Sequence, residues 1–433
     1  MSPGYKQTEV GVIPVDWDVA ELGECLVARP DYGINAPAVP YSDRLPMYIR
    51  ITDITEDGGF SPDKLASVNA EYSDAYFLSD GDIVLARTGA SVGKSYRYKT
   101  TDGPLVFAGF LIRVKPDGTK LLPGYVASYL KTGSYWRWVQ LNSMRSGQPG
   151  INGNEYAKLP LPLPPLPEQS AIATALSDVD ALLSSLDALI AKKRDVKQAA
   201  MQQLLTGRTR LPGLELQAGT KQTEVGVIPN DWHALNIGSI LEEISMGPFG
   251  SDITVSNFVS AGVPVLNGAN VAQVRLIDNF ENFVTPQKAR SLKKAVARRG
   301  DIVVTHRGTI GQISYVPEDS EFESYVVSQS QFRARFSRMV LPEWVVRYFH
   351  TEGGSKRLLE GKGHTGVPAI AQPTTTFRSL FVPVPPLHEQ SAITEVLSDM
   401  DAELAALEDR RDKTRLLKQG MMQELLTGKT RLV

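Results

Sequence analysis

The residues whose types and spacing most clearly suggest a chemical function look like a phosphate-binding loop: Gly89-Ala90-Ser91-Val92-Gly93-Lys94-Ser95. Such a loop needs four residues between its glycines, so that the backbone wraps the phosphates before the Lys and the Ser or Thr arrive. Only three residues separate Gly89 from Gly93, and the matching loop around Gly308 has no Lys. The sequence therefore argues against nucleotide binding.

Catalytic and metal-binding signatures are also missing from the sequence. One cysteine, Cys25, cannot build a zinc cluster. The histidines show no H-E-x-x-H or similar ligand spacing: His233, His306, His350, His364 and His388. We find no Asn/Asp-Pro-Pro-Tyr/Phe tetrapeptide of the kind with which amino-methyltransferases hold a flipped base, and no paired-carboxylate nuclease signature. Asp82 and Asp301 match in position, but Gly-Asp before an apolar run is typical of a turn into a strand. We expect a non-catalytic chain.

The two glycine loops are better explained as nucleic-acid contacts. Both follow a predicted strand, and their glycines allow close backbone approach. Arg suits the O6 and N7 atoms of guanine, and Gln suits N6 and N7 of adenine. The alternative for any single residue is a plain β-turn with solvated charges. The candidate DNA contacts are Arg87, Ser91, Lys94 and Arg97 in the first loop, and His306, Arg307, Thr309 and Gln312 in the second.

A second pair of loops, residues 142–154 and 360–372, is rich in Gly, amide and basic side chains. Such loops suit phosphate positioning and base readout. The two sequences differ, as expected for two half-sites that need not be alike; the alternative is a flexible connector. The candidate contacts here are Arg145, Gln148, Asn152, Lys362, His364 and Gln372.

These loops belong to a unit that the chain contains twice. KQTEVGVIPVDW at 6–17 returns as KQTEVGVIPNDW at 221–232, and Glu168-Gln169-Ser170 returns as Glu389-Gln390-Ser391. Trp17 and Trp232 are predicted to anchor the core of each unit. Short apolar runs bounded by turn residues predict strands, at 47–51, 82–86 and 110–114 and again at 263–266, 301–305 and 331–336. A helix is predicted after each set, at 123–143 and 342–359, so each unit is expected to be a mixed α/β globule.

A long amphipathic helix follows each globule, with apolar residues at i, i+3/4 and i+7. Proline pairs precede the helices, and Gly207 or Gly428 ends them; from 168 to 205 a helix would reach about 55 Å. We predict that the two helices pack on each other as an antiparallel coiled coil. The alternative is that each helix only covers its own globule. The stripe also offers a docking face for partner helices, with Ile172, Leu176, Val179, Leu183, Ile393, Leu397, Met400 and Leu404 as candidates.

Basic clusters at 192–194 and 410–413 lie on these predicted helices. The simplest interpretation is a solvated helix face, and the alternative is a contact with DNA or a partner.

Composition sets the remaining limits. A chain of 433 residues is too long for one ordinary core, so two or more domains are expected. Its 42% hydrophobic and 22% charged residues are typical of a soluble globular protein, and no apolar stretch is long enough for a membrane span. One cysteine suits a reducing cytoplasm. The net charge of −2 argues against indiscriminate polyanion binding, although a local basic footprint is compatible with it.

The sequence resembles the specificity (S) subunits of type I restriction–modification enzymes. The resemblance covers essentially the whole chain. It rests on the doubled segments at 6–17 and 221–232, PPLPEQ and PPLHEQ at 164–169 and 385–390, and LLTGRTRL and LLTGKTRL at 204–211 and 425–432.

This resemblance implies an α+β fold with two mixed α/β target recognition domains, separated by two long antiparallel helices in a pseudo-twofold tandem. The implied divisions are residues 1–163 with repeat segment 5–24, a helix at 164–211, residues 212–384 with repeat segment 220–239, and a helix at 385–433.

It also implies a subunit that reads a bipartite, asymmetric double-stranded DNA target. Two modification (methyltransferase) subunits and restriction subunits are the implied partners. No cofactor is expected in this chain, whereas S-adenosylmethionine, ATP and Mg are expected on the partner subunits. The alternative is a protein–protein scaffold with duplicated adaptor domains.

Overall fold

The duplicated sequence folds into two compact units, each built from short strands, short helices and parts of two long helices. The computed structural model describes residues 4–61, 65–70, 73–145, 147–214, 217–359, 362–363 and 368–432. Unit 1 comprises Met1–Ala188 with Glu408–Val433, and unit 2 comprises Leu189–Leu407. The boundary passes through both long helices. The domain limits predicted from the sequence instead give each long helix a segment of its own. This division does not test them, and they stay a prediction.

The strands of unit 1 are short because Gly, Pro, Asp and Asn turns interrupt its apolar runs. They are β1 (Tyr5–Thr8), β2 (Gly11–Pro14), β3 (Asp18–Glu21), β4 (Asp31–Tyr32), β5 (Ala38–Pro40), β6 (Met47–Ile49), β7 (Ala66–Val68), β8 (Ile83–Ala86), β9 (Ser95–Arg97), β10 (Leu105–Phe107), β11 (Leu111–Val114) and β12 (Pro160–Leu163). The helices that begin in this unit are α1 (Pro123–Tyr129), α2 (Gly133–Ser143), α3 (Gly153–Ala157) and α4 (Leu166–Leu204).

Two four-stranded sheets organise unit 1. One is antiparallel in the order β4-β11-β8-β9. The other has the order β10-β6-β7-β5, with β10 parallel to β6. Strand β8 is buried along its whole length, because its alternate residues enter the two largest apolar clusters of the unit. This burial fixes the sheet that carries the predicted DNA loop.

Unit 2 repeats the scheme, with one longer edge strand in its main sheet. Its strands are β13 (Thr220–Thr223), β14 (Gly226–Pro229), β15 (His233–Asn236), β16 (Leu241–Met246), β17 (Phe258–Val259), β18 (Val263–Pro264), β19 (Phe283–Val284), β20 (Val296–Arg298), β21 (Ile302–Thr305), β22 (Ile313–Tyr315), β23 (Ser324–Val326), β24 (Gln331–Phe336), β25 (Lys362–Gly363), β26 (Ala369–Ile370) and β27 (Phe381–Val384). Its helices are α5 (Ile237–Ile240), α6 (Pro286–Ser291), α7 (Pro342–Phe349), α8 (Glu352–Leu358), α9 (Pro373–Ser379) and the first part of α10 (Leu387–Leu425).

The main sheet of unit 2, β16-β24-β21-β22, matches β4-β11-β8-β9 of unit 1 strand for strand. The strand pair β15-β27 likewise matches β3-β12, and both pairs are antiparallel. The mixed α/β character predicted for each unit is confirmed.

The single helices predicted at 123–143 and 342–359 are wrong in detail, because each is two helices. Thr132 lies between α1 and α2 and caps α2, where its hydroxyl accepts a hydrogen bond from Tyr135 N at 3.2 Å. Thr351 caps α8 in the same way, through Gly354 N at 3.1 Å. A Thr that competes for backbone donors breaks a helix at the point where it caps the next one.

The two long helices are each 39 residues long and run antiparallel to each other within each unit. In unit 1, Asp180 pairs with Lys418 at 2.5 Å and Asp187 pairs with Arg415 at 3.3 Å. In unit 2, Lys193 pairs with Glu403 at 2.6 Å, and Lys197 pairs with Asp401. Residue numbers fall along one helix as they rise along the other, which confirms the antiparallel pairing.

A buried cluster closes unit 1 and brings its repeated motifs together. Trp17, which is fully buried, donates its indole N–H to the Glu168 carboxylate at 2.9 Å. Arg431 donates to the same carboxylate at 2.6 and 2.8 Å, and to Asp16 at 2.9 and 2.8 Å. Trp17 is therefore a core anchor, as predicted, and the anchor includes the segment that follows α10.

Unit 2 contains the same cluster. Trp232 is fully buried and donates to Glu389 at 3.0 Å. Arg210, which follows α4, donates to Glu389 at 2.5 and 2.7 Å and to Asp231 at 3.0 and 3.1 Å. The identity between the two halves is highest at the unit edges because these side chains must meet there.

Candidate nucleic-acid interface

In unit 1 the two predicted loops meet at one end of the main sheet. Gly89 N donates to Pro149 O at 3.0 Å, and Ile151 N donates to Arg87 O at 2.9 Å. A third segment joins them, because Arg87 N donates to Phe110 O at 3.0 Å. The unit 1 loop edge, as we use the name, consists of residues 87–94, 108–110 and 147–152.

Unit 2 builds the same arrangement from different side chains. Gly308 N donates to Pro368 O, Ile370 N donates to His306 O, and His306 N donates to Ser330 O, each at 2.9 Å. The unit 2 loop edge consists of residues 306–312, 328–330 and 368–372. Backbone hydrogen bonds thus hold three loop segments together in each unit, which argues against a flexible connector for the parts of 142–154 and 360–372 that take part.

Arg87 is held in a defined position on the unit 1 loop edge. Its guanidinium lies 4.9 Å from the ring centroid of Tyr32 and donates to Gly109 O at 3.4 Å. The Tyr32 hydroxyl in turn accepts a hydrogen bond from Gly153 N at 3.0 Å. A planar guanidinium stacked on an aromatic ring loses less rotamer entropy when it forms further hydrogen bonds.

The remaining unit 1 candidates divide into available and engaged side chains. Gln148 is exposed and Ser91 is half-buried on the loop edge. Lys94 forms an ion pair with Glu56 at 2.6 Å, and Arg145 forms one with Glu155 at 2.5 Å. Asn152 caps α3, since its side chain accepts from Glu155 N at 3.0 Å.

Arg97 is brought to a different place from the other unit 1 candidates. It lies at the end of β9 away from the loop edge, and its Nη1 is 3.0 Å from where a Cβ on Gly124 would stand. It therefore faces the start of α1 instead of joining the loop edge.

On the unit 2 loop edge, Arg307, Thr309 and Gln372 are exposed. Thr309 donates its hydroxyl to Gln312 Oε1 at 2.7 Å. Gln372 has φ 42° and ψ 58°, the left-handed region that a non-glycine residue rarely occupies. Such strain is retained where surrounding structure imposes it, often at functional sites.

His306 is half-buried beside Phe332. Burial lowers the pKa of His306, which keeps the imidazole neutral at neutral pH. Among the described residues, its Nε2 has no hydrogen-bond partner. The side chain of Lys362, and His364 as a whole, lie outside the described residues; the Lys362 backbone pairs with Ile370.

The loop glycines serve a purpose that the sequence did not indicate. Gly93 has φ 91°, and a Cβ on it would lie 2.8 Å from Val139 and 2.9 Å from Trp136 of α2. Gly311 has φ 85° and would lie 2.8 Å from Leu359. These two glycines let a helix pack against the loop, so the expectation that they admit DNA is corrected. Gly308, with φ 82°, has nothing within 4 Å.

Two aromatic residues near the loop edges were missed by the sequence analysis. Phe110 was assigned to a strand, but β11 begins at Leu111 and leaves Phe110 59% exposed in the turn. Phe249 is 80% exposed after β16, where Gly247 N donates to Gln331 O at 2.9 Å. An aromatic residue directly after a turn residue, Gly109 or Pro248, was the available signal. Exposed aromatic side chains beside basic loops suit base stacking or thymine methyl contact.

Asp82 and Asp301 are structural, as their turn-and-strand pattern predicted. Each accepts a backbone hydrogen bond across the turn before its strand, from Ser79 N at 3.0 Å and from Arg298 N at 2.9 Å. Burial raises the pKa of Asp301, and its ion pair with Arg335 at 2.6 Å opposes that rise.

Most of the helix residues predicted to contact partners pack inside their own unit. Ile172 and Leu176 are buried in the core of unit 1, and Ile393, Leu397 and Leu404 are buried in unit 2. Val179, Leu183 and Met400 are half-buried. Since the buried side chains are already covered, a partner has access to a different set of apolar residues on these helices. That set is Leu182, Leu416 and Leu417 in unit 1, and Leu189, Val196 and Leu387 in unit 2, which are 39–68% exposed.

The basic clusters on the helices are largely compensated. Lys193 pairs with Glu403, Arg411 pairs with Asp412 at 2.9 Å, and Lys413 pairs with Asp409 at 2.7 Å. These pairs fit the interpretation of a solvated helix face.

The described residues contain no group of three or more His, Cys, Asp or Glu side chains placed to hold a metal ion. Within the same ranges, every helix is too short or too polar to cross a bilayer.

Comparison with known proteins agrees with this architecture. The family model described as "Type I restriction modification DNA specificity domain" matches residues 14–192 and 256–416. A putative type I restriction enzyme MjaX specificity subunit from Methanocaldococcus jannaschii is 26% identical, over 99% of this chain and 97% of the relative.

Two solved structures share the fold. The crystal structure of a type I restriction–modification S subunit from M. genitalium superposes with a TM-score of 0.58 and 14% identity, covering 98% of this chain and 99% of that one. A chain from a structure on complex assembly and conformational transition of the type I R-M system gives a TM-score of 0.54 and 16% identity, with coverage of 96% and 99%.

The family match covers most of both halves of the chain, including parts of both long helices. The chain belongs to the type I restriction–modification DNA specificity family and is a non-catalytic specificity subunit.

Proposed function

We propose that this subunit reads a bipartite, asymmetric sequence in double-stranded DNA, with the loop edge of each unit reading one half. The observation that carries the proposal is the duplicated loop edge. Each unit joins the same three segments by equivalent backbone hydrogen bonds, yet exposes different side chains. A common scaffold with different exposed groups is what two unlike half-sites require.

The exposed groups have suitable chemistry for direct readout. Unit 1 offers the exposed Gln148, whose amide suits adenine, and Arg87, which is half-buried and held against Tyr32 and suits guanine. Unit 2 offers Arg307, Thr309 and Gln372. Lys94, Arg145 and Asn152 have intramolecular partners, so we assign them to shaping the unit 1 loop edge, and we leave Arg97 out of the readout set.

The apolar residues exposed on the long helices support partner docking. On an otherwise polar helix face, exposed Leu416 and Leu417, at 68% and 60%, gain free energy only when a partner covers them. We infer that two modification subunits dock there and supply the methyltransferase chemistry with S-adenosylmethionine. Restriction subunits, with ATP and Mg, would then join this assembly.

The proposal is tested by mapping methylated adenines in DNA exposed to this chain together with its modification subunits. We expect a split motif with two different halves. Arg307→Ala should relax the preference at one base of one half, at a cost of about 1–3 kcal/mol, while the other half is read normally. Arg87→Ala should act on the opposite half, and is the matched control.

A single uninterrupted motif, or relaxation of both halves by Arg307→Ala, would contradict the division of labour between the units. Absence of any sequence-dependent binding with the partners present would instead favour the protein–protein scaffold.

Partner docking is tested with the double substitution Leu416→Asp and Leu417→Asp. We expect the affinity for the modification subunit to fall about tenfold or more, because two charges replace an apolar contact. Val27→Asp, at a residue 67% exposed elsewhere in unit 1, is the control and should leave that affinity unchanged. Equal effects of the two variants would remove the proposed docking face.

A further inference from the structure

Unit 1 contains a cavity at a position that unit 2 fills with its own side chains. The register of the two units is fixed by α1 and α7, which both begin with Pro, and by the LSDVD and LSDMD segments of the long helices. Gly124 therefore matches Glu343, Ser128 matches Arg347, and Lys131 matches His350. On the paired strands, Arg97 faces Ile83 and Tyr315 faces Ile302, so Arg97 matches Tyr315.

In unit 2 a carboxylate sits at the centre of this position. Glu343 accepts hydrogen bonds from Tyr315 at 3.0 Å, from Arg347 at 2.8 Å and from Ser398 at 2.8 Å. Arg347 is fully buried and also pairs with Asp401 at 3.0 Å. The position is thus occupied by an anion that the chain supplies itself, surrounded by donors.

Unit 1 lacks both central side chains, since Gly124 and Ser128 replace Glu343 and Arg347. A cavity of about 270 Å³ remains. Its lining keeps the donors and adds positive charge. The lining includes Arg97, Lys99, Lys131, Ser128, Ser177 and Ser184.

The charges in this lining do not cancel. Asp57 and Asp180 are its carboxylates, and Asp180 already pairs with Lys418 at 2.5 Å. Over the part of the chain that the structure describes, Arg97, Lys99 and Lys131 form no ion pair. Burial lowers the pKa of Lys131, and the nearby Lys418 lowers it further, while Asp180 and Asp57 only partly oppose this. The five charged side chains of the lining sum to +1, and to +2 when Lys418, which pairs with Asp180, is counted, at the place where unit 2 holds a carboxylate.

We propose that this cavity of unit 1 is a binding site for a phosphate group, with Arg97 and Lys131 as its principal ligands. Phosphate oxygens suit the donors and the positive excess of the lining: inorganic phosphate carries between one and two negative charges near neutral pH, and a phosphodiester carries one. The guanidinium of Arg97 suits bidentate contact with phosphate oxygens, and Lys131 supplies a point charge. Two sources share this chemistry: a free phosphate ion, or a phosphodiester of bound DNA.

The first arm of the test uses inorganic phosphate and the full chain, with chloride at matched ionic strength as reference. Phosphate should raise the melting temperature, by about 3–5 °C at ten times its dissociation constant. Arg97→Met with Lys131→Met should abolish the rise. Lys356→Met, which removes an exposed cation of unit 2, should keep it.

A second double variant distinguishes loss of the binding site from loss of the fold. Gly124→Glu with Ser128→Arg transplants the unit 2 network and should fill the cavity. A Cβ on Gly124 would lie 3.0 Å from Arg97 Nη1 and 3.1 Å from Ala173 Cβ, so the flexible Arg97 side chain must shift, and the melting temperature without phosphate checks that the variant folds. This variant should also lose the response to phosphate.

The second arm, which rests on the proposed function, measures DNA binding by the complex with modification subunits. If the DNA backbone supplies the phosphate, Arg97→Met with Lys131→Met should make the slope of log binding constant against log salt concentration shallower by about one to two. If a free ion supplies it, the double substitution should leave that slope unchanged. A phosphate response that survives in both double variants overturns the proposal. So does the absence of both the phosphate response and the change in slope. A complex that fails to bind DNA speaks only against the proposed function.

Discussion

Glu168 and Glu389 show how much a single residue can determine in this chain. Each is buried at the first turn of a long helix and accepts hydrogen bonds from an indole and a guanidinium contributed by distant segments. The sequence made these residues visible as a repeated Glu-Gln pair, but not their purpose, because their partners lie up to 263 residues away. Gln390 is equally specific, since it accepts from Leu341 N at 2.8 Å and donates to Met339 O and Pro385 O.

At this scale we predict that Glu389→Gln destabilises unit 2. Glu389 is fully buried, and the substitution removes the charge that faces Arg210 and places an amide donor among donors. Loss of a buried ion-pair partner typically costs 3–5 kcal/mol, and Arg210 keeps Asp231, so we expect about 2–3 kcal/mol. Thermal unfolding followed by tryptophan fluorescence measures the effect. The exposed pair Lys356–Glu352 provides the control, since Lys356→Met should change stability by less than about 0.5 kcal/mol. Equal melting temperatures of the two variants would show that the cluster is dispensable.

The elements were largely predictable where their signal is local. The strands around residues 83–86, 302–305 and 331–336 and both long helices follow from apolar periodicity. The breaks at Thr132 and Thr351 were missed, because capping competes with a helical pattern that continues on both sides. The joining of three loop segments into one edge could not be predicted, since it depends on contacts between residues far apart in sequence.

The turn that follows α4 supplies a prediction at the scale of elements. Gly207 has φ 71°, and a Cβ there would meet the ring of Pro229. Gly213, with φ 81°, has nothing within 4 Å. Gly213→Ala should cost only the strain of a left-handed backbone, about 1 kcal/mol, whereas Gly207→Ala adds steric overlap and should cost about 1–3 kcal/mol more. Chemical denaturation of both variants compares the two contributions. If the costs are equal, close packing of the turn on Pro229 has no energetic importance.

For the whole molecule, the duplication was the most informative feature of the sequence. It predicted two mixed α/β units and an antiparallel helix pair, which are confirmed. The candidate DNA residues remain predictions. The structure divides them into exposed side chains such as Gln148 and Arg307 and engaged ones such as Lys94, a distinction that residue type alone does not carry.

We propose that the paired long helices set the length of the unread gap between the two half-sites, and this spacer role gives a prediction for the complete subunit. One additional heptad in each long helix, inserted after Ala188 and after Leu407, preserves the apolar face. Seven residues add about 10 Å of helix, which corresponds to about 3 base pairs. Mapping of methylated sites should show both half-sites unchanged and the unread gap lengthened by that amount. Insertion into one helix alone is the control and should impair recognition, because the helices no longer match. Altered half-sites with an unchanged gap would refute the spacer role.

The pairing of Arg431 with Asp16 joins side chains 415 positions apart, and has a consequence for the nascent protein. The globule of unit 1 leaves the ribosome before unit 2, but the guanidinium that neutralises Glu168 is made only after the whole of unit 2. Until then Glu168 would be a desolvated carboxylate without its cation, which disfavours closure. Unit 2 needs no residue beyond 407 and has Arg210 only 21 positions before Asp231. The half that is translated first is therefore the half that matures last.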